Sequence, residues 1–197
     1  MIYFARHGHK AIGDYYNADL NILDDPLCED GHSDAQRVAE YFRGIDISRI
    51  IVSEYLRTQQ TAAPVSLEKR IEPVVDSRVN EINNGDLRYM SEDEAAAAYP
   101  DLWRDFSQHL QDVQFPGGES GEDVKKRQDS FLRDMQKVEG DVLVVSHDGY
   151  IRLLMCNLLG IPVYMRYKFK TDMGGISLIE FDKKDDQWKI IRFNQVV

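Results

Sequence analysis

Histidine and arginine side chains follow directly after three apolar stretches of this chain. Arg6 and His7 come after the first stretch, Arg57 lies one helical turn beyond the second, and His147 comes after the third. If the stretches are neighbouring parallel strands, their carboxyl ends meet at one edge of a sheet, where ligands bind in such folds. The sequence therefore predicts that these two histidines and two arginines converge on one point.

These residue types suit the binding and cleavage of a phosphate group. Guanidinium groups match phosphate oxygens in bidentate fashion. A neutral imidazole can attack phosphorus and form a covalent intermediate that water later breaks, and a protonated imidazole can donate to the equatorial oxygens. Gly8 would let the backbone approach the phosphate closely, and the helix that follows Asp148 would add the positive end of its dipole.

The charge of the chain narrows the class of ligand. Asp and Glu total 34 against 24 Lys and Arg, for a net charge of −10. A general nucleic-acid binder needs a basic face, so this class is excluded. An acidic protein that binds a small anion must concentrate its cations at one site, as the strand ends do here. We expect a small phosphorylated partner, while the oligomeric state is left open.

The sequence also favours a cytoplasmic protein without a membrane anchor. Its most apolar stretch, LLMCNLLGIPV, contains Asn157 and Gly160 and falls short of the ~18 residues that a span requires. The stretch before Arg6 is too short for a signal-peptide core. Cys28 and Cys156 lie far apart, with Cys156 in an apolar run, so no disulfide framework is implied and a reducing cytoplasm is expected.

Strand-like and helical patterns alternate along the chain. Strands are predicted at residues 2–5, 49–53, 71–76 and 141–146, with a late hairpin of ISLIEF and WKIIRF. Helices are predicted at 32–43 between Gly31 and Gly44, at 56–69 with Pro64 as an interruption, and at 148–160. This alternation predicts an α/β fold of three layers, with a largely parallel central sheet flanked by helices.

A mostly helical insert is expected at about residues 91–139 within a single domain that spans 1–197. Ser91 with Glu94 forms a capping signature before the first helix of this segment. Ser120 with Asp123 forms a weaker version before the second.

Six segments of the chain stand out as motifs. They are ARHGHK (5–10), DDPLCEDGHSDAQRVAEYF (24–42), SEYLRTQQTA (53–62), VNEINNGDL (79–87), FPGGESGEDVKKR (115–127) and VLVVSHDGYIRLL (142–154). In this order they resemble the motifs of the histidine phosphatase superfamily, also called the phosphoglycerate mutase-like family. The likeness extends to about residue 160 and favours the phosphatase branch.

The resemblance implies a role for each site residue. His7 would be the phosphorylated nucleophile, and Arg6, Arg57 and His147 would complete the phosphate pocket. Glu81 would be the general acid that protonates the leaving oxygen and then helps to activate water. Asp148 is the alternative acid, although an N-cap role for the following helix is expected first. No cofactor and no metal are implied, and His32 and His109 stand alone as solvated side chains.

This chain departs from the family pattern in two places that bear on the substrate. Family members commonly carry Glu or Gln, then Thr or Ser, after R-H-G, whereas this chain has His9 and Lys10. Lys10 is therefore a candidate second contact to an anionic substrate, with a solvated loop lysine as the equal alternative. The true mutases read N-E-R-x-Y-G where this chain has an apolar Ile82, which cannot grip a carboxylate.

The leading hypothesis is a metal-independent phosphatase that acts on a small phosphate monoester. The alternatives are a phosphoglycerate-type mutase and a binding module that holds a phosphorylated ligand without turnover. The presence of Glu81 favours catalysis over binding, because a pure binder has no use for an acid. The identity of the ester is left open, and the segment between His9 and Asn21, the region of Arg88 and Tyr89, and residues 91–115 are expected to form the walls of the site.

Overall fold

Strands and helices alternate along the computed structural model, which describes residues 1–13, 15–18 and 22–197. The strands are β1 (Ile2–Arg6), β2 (Tyr16–Asn17), β3 (Ile22–Leu23), β4 (Arg49–Val52), β5 (Val74–Val75), β6 (Val142–Ser146), β7 (Ile176–Asp182) and β8 (Gln187–Gln195). The α-helices are α1 (Glu29–Phe42), α2 (Leu56–Lys69), α3 (Glu92–Ala98), α4 (Pro100–Ser107), α5 (Gly121–Met135) and α6 (Asp148–Leu159). Short 3-10 helices lie at Ser77–Val79, Gly85–Tyr89 and Val163–Lys168.

A six-stranded sheet of order β5-β4-β6-β1-β7-β8 forms the centre of the fold. The β1–β6, β6–β4 and β4–β5 pairs are parallel, whereas β7 pairs antiparallel with both β1 and β8. The predicted hairpin near the end of the chain is β7–β8. The predicted α/β fold with a largely parallel central sheet is therefore confirmed.

Strand β6 is the central strand that aligns the polar strand ends. All five of its residues are buried, as its continuous apolar run predicts for a strand covered on both faces. Its last residue, Ser146, pairs with Arg6 of β1, and Val145 pairs with Val52 of β4. The residues that follow these three strands consequently emerge side by side at one edge of the sheet.

Two apolar clusters cover the two faces of the sheet and make the fold three-layered. On one face, α5 and α6 contribute Phe131 and Leu154, among others. On the other face, α1 and α2 contribute Phe42 and Val65. None of the helices within the described ranges is long and apolar enough to cross a bilayer.

The segment from residue 91 to 139 contains α3, α4 and α5. The capping boxes predicted at Ser91 with Glu94 and at Ser120 with Asp123 both form, with reciprocal side-chain and backbone bonds. Helix α5 belongs to the core of the sheet, since Phe131 packs there fully buried. The prediction that 1–197 is one domain with an insert at 91–139 stays a prediction.

The prediction that Gly31 precedes the first helix is wrong, because α1 begins at Glu29 and contains it. Two acidic residues in the first turn suit the positive end of the helix dipole there. A Cβ on Gly31 would lie 1.9 Å from the carbonyl oxygen of His9. Gly31 is thus required by the close approach of the chain that follows β1, and not by the helix boundary.

Two further boundaries differ from the sequence-based expectation. Pro64 does not interrupt α2, which continues to Lys69 because Ala62 and Val65 are buried against the sheet and packing outweighs propensity. The strand predicted over 71–76 is limited to Val74–Val75, since Pro73 has no N–H to donate to a ladder. In the segment from His9 to Asn21, residues 14 and 19–21 lie outside the described residues.

Candidate active site

The carboxyl ends of β1, β6 and β4 bring the predicted side chains together. The N–H of His7 donates to the carbonyl oxygen of Ser146 at 3.0 Å, which extends the β1–β6 pairing by one residue. His147 follows Ser146 directly, and the imidazole rings of the two histidines have centroids 5.2 Å apart. Arg57 lies in the first turn of α2, where its guanidinium reaches His147.

His7 is a neutral imidazole in which one ring nitrogen is hydrogen-bonded to the backbone and the other is not. Its Nδ1 lies 2.7 Å from the carbonyl oxygen of Gly8, and because a carbonyl only accepts, Nδ1 carries the proton. Nε2 therefore bears the lone pair. Burial, followed by the positive charge of Arg57, lowers the pKa of His7 to about 3, so the ring is uncharged at neutral pH.

His147 lies beneath Arg57, and none of its surface is exposed. A nitrogen of the Arg57 guanidinium donates to its Nδ1 at 3.1 Å, so the ring proton is on Nε2, which faces the Ser53 hydroxyl at 2.8 Å. The Ser53 hydroxyl also lies 2.9 Å from the hydroxyl of Thr58. Burial and then Arg57 lower the pKa of His147 well below its usual value, so this ring too is neutral.

Arg6 and Arg57 each have a buried N–H group that makes no hydrogen bond within the described residues. Arg6 donates to the carbonyl oxygen of Thr171 at 2.6 Å, and Arg57 lies 4.4 Å over the ring of Tyr55. The Nε atoms of Arg6 and Arg57 are buried and have no hydrogen-bond partner among the described residues. Buried donors of a cation are costly to leave unpaired, which makes this pair suited to a bound anion.

A cavity of about 400 Å³, here called the central cavity, opens at these strand ends. Its wall includes Arg6, His7, Lys10, Arg57, Glu81 and Asp148. Four of the five predicted catalytic residues thus face one space, while His147 supports the wall from behind through Arg57. Arg88 also lines this cavity, as expected of the segment around it, whereas Tyr89 is exposed. The catalytic roles themselves stay predictions.

The carboxylate of Glu81 lies at the start of α6 and contacts its backbone. One oxygen accepts from the N–H groups of Ile82 and Tyr150 at 3.0 Å each, and the other accepts from Gly149 at 3.2 Å. A Cβ on Gly149 would come within 2.6 Å of this carboxylate. The positive end of the α6 dipole therefore lies at Glu81. The sequence predicts that this end of the helix lies at the phosphate instead.

Gly8 has a packing role as well as its predicted role at the phosphate. Its N–H donates to the hydroxyl of Thr61 at 3.0 Å, and a Cβ would lie 2.5 Å from the carbonyl oxygen of Gly31. Glycine is needed here so that the chain after β1 can lie against α1. Contact between Gly8 and substrate stays a prediction.

The two residues after Gly8 are both paired with carboxylates. Lys10 reaches the central cavity with half of its side chain exposed, and its Nζ lies 2.5 Å from an oxygen of Asp25. His9 bonds Asp34 through Nδ1 at 2.6 Å. Lys10 therefore lies where it could contact a substrate, but a substrate would share its charge with Asp25.

The sequence reasoning missed Tyr55 and gave Asp148 the wrong local position. Tyr55 lines the central cavity, and an aromatic residue two positions before the predicted arginine, Arg57, was the available signal. Asp148 is the first residue of α6, and the N-cap is His147, because the extended β6 conformation continues through that residue. The Asp148 carboxylate accepts from the hydroxyl of Thr171 at 2.6 Å.

No cluster of three or more metal-ligating side chains occurs within the described ranges. His32 is exposed on α1. His109 is also exposed, although its ring stacks on Tyr167 with 3.6 Å between centroids.

The lowered pKa of His7 predicts a pH-dependent stability. Between about pH 6.5 and about pH 3 the unfolded chain protonates this imidazole and the folded chain does not. Protons therefore favour unfolding, and the free energy of unfolding falls as the pH drops through that window. In His7→Gln this contribution is absent, so its urea-unfolding free energy should decline less steeply, by about 1.4 kcal/mol per pH unit.

The wild-type protein and His7→Gln contain the same carboxylates, so the difference between their two slopes reports on His7. Urea melts at half-unit intervals from pH 7 to pH 4 give the two slopes. Identical slopes would mean that folded His7 takes up a proton as readily as an unfolded histidine, contrary to the geometry of its buried ring.

Comparison with known families agrees with this geometry. The profile of one family, the histidine phosphatase superfamily (branch 1), matches residues 2–196. The chain is 30% identical over 188 residues to a probable phosphoglycerate mutase GpmB from Enterobacter sp., covering 93% of this chain and 86% of that protein. It is also 30% identical over 165 residues to phosphoserine phosphatase 1 from Hydrogenobacter thermophilus, covering 83% and 78% respectively.

Solved structures with the same fold include two phosphatases. A putative alpha-ribazole-5'-P phosphatase from Escherichia coli superposes with a TM-score of 0.81 at 21% identity, over 98% of this chain and 95% of that one. A mycobacterial glucosyl-3-phosphoglycerate phosphatase gives 0.80 at 22% identity, over 100% and 99%. The predicted enzyme class, a phosphatase, is confirmed together with the family. The chain belongs to the histidine phosphatase superfamily, branch 1.

Proposed function

We propose that this protein hydrolyses a small phosphate monoester through a phosphohistidine intermediate on His7. The observation that carries the proposal is the state of that imidazole. Its Nδ1 proton is donated to the carbonyl oxygen of Gly8, and its pKa is lowered to about 3. Nε2 therefore keeps its lone pair at the pH of the cell, and His7 lines the central cavity beside Arg6 and Arg57.

In the first step, Nε2 of His7 attacks phosphorus and the ester P–O bond breaks. Arg6 and Arg57 bind the phosphoryl oxygens as negative charge spreads over them. His147, neutral and buried behind Arg57, accepts from that guanidinium through Nδ1 and so helps to hold it in place for the phosphoryl group. Glu81, which lines the same cavity, gives its proton to the leaving oxygen, so that an alcohol departs.

In the second step, water attacks the phosphorus of the phosphohistidine. The carboxylate of Glu81 takes a proton from that water, the P–N bond breaks, and its electron pair returns to Nε2 of His7. Inorganic phosphate leaves, and the enzyme is restored with His7 neutral and Glu81 protonated. No metal enters this scheme, because the arginines supply the positive charge and Glu81 supplies the proton.

Two features support hydrolysis of a metabolite inside the cell. The central cavity, at about 400 Å³, is of the size that holds small ligands. Cys28 and Cys156 are both free thiols, in keeping with a reducing cytoplasm as the site of action. One relative is named as a phosphatase and others as probable phosphoglycerate mutases, so the mutase stays the alternative reaction.

The test is hydrolysis of nitrophenyl phosphate in the presence of excess chelator. We expect one nitrophenolate and one inorganic phosphate per turnover, with a rate that the chelator does not change. Activity that vanishes with the chelator and returns with a divalent cation would contradict the metal-free scheme. With 3-phosphoglycerate, formation of the 2-isomer in place of free phosphate would favour the mutase, and binding without any product would favour the non-catalytic module.

A further inference from the structure

Arg6 is held in place by the segment that leads into β7, here called the 171–175 loop. The backbone N–H of Arg6 donates to the carbonyl oxygen of Gly175, and its own carbonyl oxygen accepts from Gly174, each at 3.1 Å. Its guanidinium Nη1 donates to the carbonyl oxygen of Thr171 at 2.6 Å. Both the backbone and the charged end of Arg6 therefore depend on where this loop lies.

The hydrogen bond to Thr171 sets the orientation of the Arg6 guanidinium. This group is planar and rigid, so fixing one nitrogen constrains the directions in which the others donate. Nη1 is the nitrogen that Thr171 fixes, whereas the buried Nε makes no hydrogen bond with any described residue. Since Arg6 lines the central cavity, its Nε–H group is left for an anion bound there.

Thr171 also separates Arg6 from the carboxylate of Asp148. The Thr171 hydroxyl donates to Oδ1 of Asp148 at 2.6 Å, and Arg152 donates to the other oxygen at 2.8 Å. Oδ1 of Asp148 stays 3.9 Å from Nη1 of Arg6, which is beyond hydrogen-bonding distance. If the 171–175 loop moved away, Arg6 could pair with Asp148, and its charge would then be unavailable to a phosphate group.

The loop is fastened by Asn194, a residue of β8 near the end of the described chain. The side-chain oxygen of Asn194 accepts from the backbone N–H of Asp172 at 2.8 Å, and its Nδ2 donates to the Asp172 carboxylate at 2.8 Å. A Cβ on Gly175 would lie 2.3 Å from the same side-chain oxygen, so the loop packs directly against this amide. Asn194 is not among the described residues that line the central cavity, and any influence on the site must pass through the loop.

A bulge in β8 gives Asn194 the backbone conformation for this contact. The pairing of β7 with β8 shifts by one residue here, so that Phe193 and Asn194 together oppose Ser177 alone. Asn194 has a φ of +51°, in the left-handed region that asparagine tolerates better than most side chains. Its N–H donates to the hydroxyl of the buried Ser177 at 3.1 Å. Bulges beside active sites commonly re-aim a side chain, and this one lies where the amide meets Asp172.

From these contacts we propose that Asn194 is a positioning residue for the phosphate site: it fixes the 171–175 loop, and through Thr171 it holds the Arg6 guanidinium in the orientation that binds phosphoryl oxygens. This inference rests on the phosphate site of the proposed function, in which Arg6 is a ligand. Preorganised donors stabilise a phosphoryl group because they need no rearrangement as charge develops. Loss of the Asn194 amide should therefore weaken phosphate binding from outside the cavity wall.

The test is a double-mutant cycle on the affinity for inorganic phosphate, measured by titration calorimetry. Asn194→Gly removes the amide and leaves a residue that adopts a positive φ without steric cost. It should weaken phosphate binding about 10-fold, the low end of the range for a hydrogen bond to a charged group, because Arg6 itself remains. In an Arg6→Ala background the same change should have no further effect, whereas in an Arg57→Ala background it should keep its full effect.

Asp186→Gly is the matched control for the glycine substitution. Asp186 also has a positive φ, of +52°, but it is exposed in the β7–β8 turn at the opposite edge of the sheet. Its phosphate affinity should equal that of the wild-type enzyme. If Asn194→Gly does not fold, Ser177→Ala removes the acceptor of the Asn194 N–H, and it should give a smaller loss with the same dependence on Arg6.

The outcomes separate this inference from the proposed function. Wild-type affinity in Asn194→Gly, or a loss of the same size with and without Arg6, would overturn the role of Asn194 and leave the proposed hydrolysis standing. A wild-type enzyme that binds phosphate but hydrolyses no ester would overturn the proposed function, while the cycle would still decide on Asn194. Absence of phosphate binding in the wild-type enzyme would overturn both.

Discussion

His7→Ala should lower kcat on every phosphate monoester by about 10⁴-fold or more, comparable to the loss of the nucleophile in other covalent mechanisms. The reason is that its Nε2 is the lone pair on which the covalent step depends. His147 cannot replace it, since that ring is fully buried, with Nδ1 bonded to Arg57 and Nε2 bonded to Ser53. Initial rates with nitrophenyl phosphate measure the loss.

His32→Ala is the matched control, because it removes an exposed histidine of α1 that lies outside the site. Its rate should equal that of the wild-type enzyme. Rapid acid-free quenching of the wild-type enzyme with labelled substrate should trap one acid-labile phosphate per chain, and none in His7→Ala. A His7→Ala enzyme that turns over at a tenth of the wild-type rate, or that still traps the label, would contradict the mechanism.

The placement of the nucleophile and its cations could be predicted from the sequence for a simple physical reason. The apolar run VLVVS has no polar face, which requires a strand covered on both sides, and such strands are central and parallel. Once β6 is central, the ends of its parallel neighbours lie beside its own. His7, Arg57 and His147 then meet without any knowledge of packing.

The contacts that tune the site could not be predicted, because they depend on segments that are distant in sequence. Glu81 meets the start of α6 only after the sheet has formed, and no local pattern around Glu81 specifies the N–H groups of Gly149 and Tyr150. The approach of Gly31 to His9 is similar, and it explains why Gly31 looked like a helix boundary when it is a packing position.

The N-cap of α6 was placed one residue too late, at Asp148. The sequence also gave no sign that a second pair of arginines, Arg152 and Arg166, would lie together. Asp is a favoured N-cap, but the backbone of His147 stays extended as it leaves β6, so the cap falls one residue earlier. Arg152 looked like an ordinary helix residue, and Arg166 lies in a stretch without periodicity. Their common contact with Tyr167 arises only from the fold of the chain after α6.

Glu81→Gln should slow the phosphorylation step selectively, according to the leaving group. An alkyl phosphate releases an alkoxide unless an acid protonates it, and such help is typically worth about 10²–10⁴-fold. A nitrophenolate leaves without that help. In single-turnover experiments we therefore expect Glu81→Gln to slow ethyl phosphate by roughly that range and nitrophenyl phosphate by much less.

The structure shows why two substrates are needed. Both oxygens of Glu81 accept backbone N–H groups, and a glutamine has only one oxygen to offer, so its NH₂ group would face the N–H of Gly149. This conflict disturbs the start of α6, and through it the neighbouring Asp148 and His147. Damage of that kind weakens phosphate binding for both esters equally, whereas loss of the acid separates them.

Single turnover is required because dephosphorylation by water also uses Glu81 and is common to both substrates. Glu54→Gln serves as the control for loss of a carboxylate, since Glu54 lines a neighbouring cavity and bonds Asn80. It should slow both esters by the same small factor. If Glu81→Gln also slows the two esters equally in the first step, Glu81 is not the leaving-group acid. Asp148, which also lines the central cavity, would then take its place.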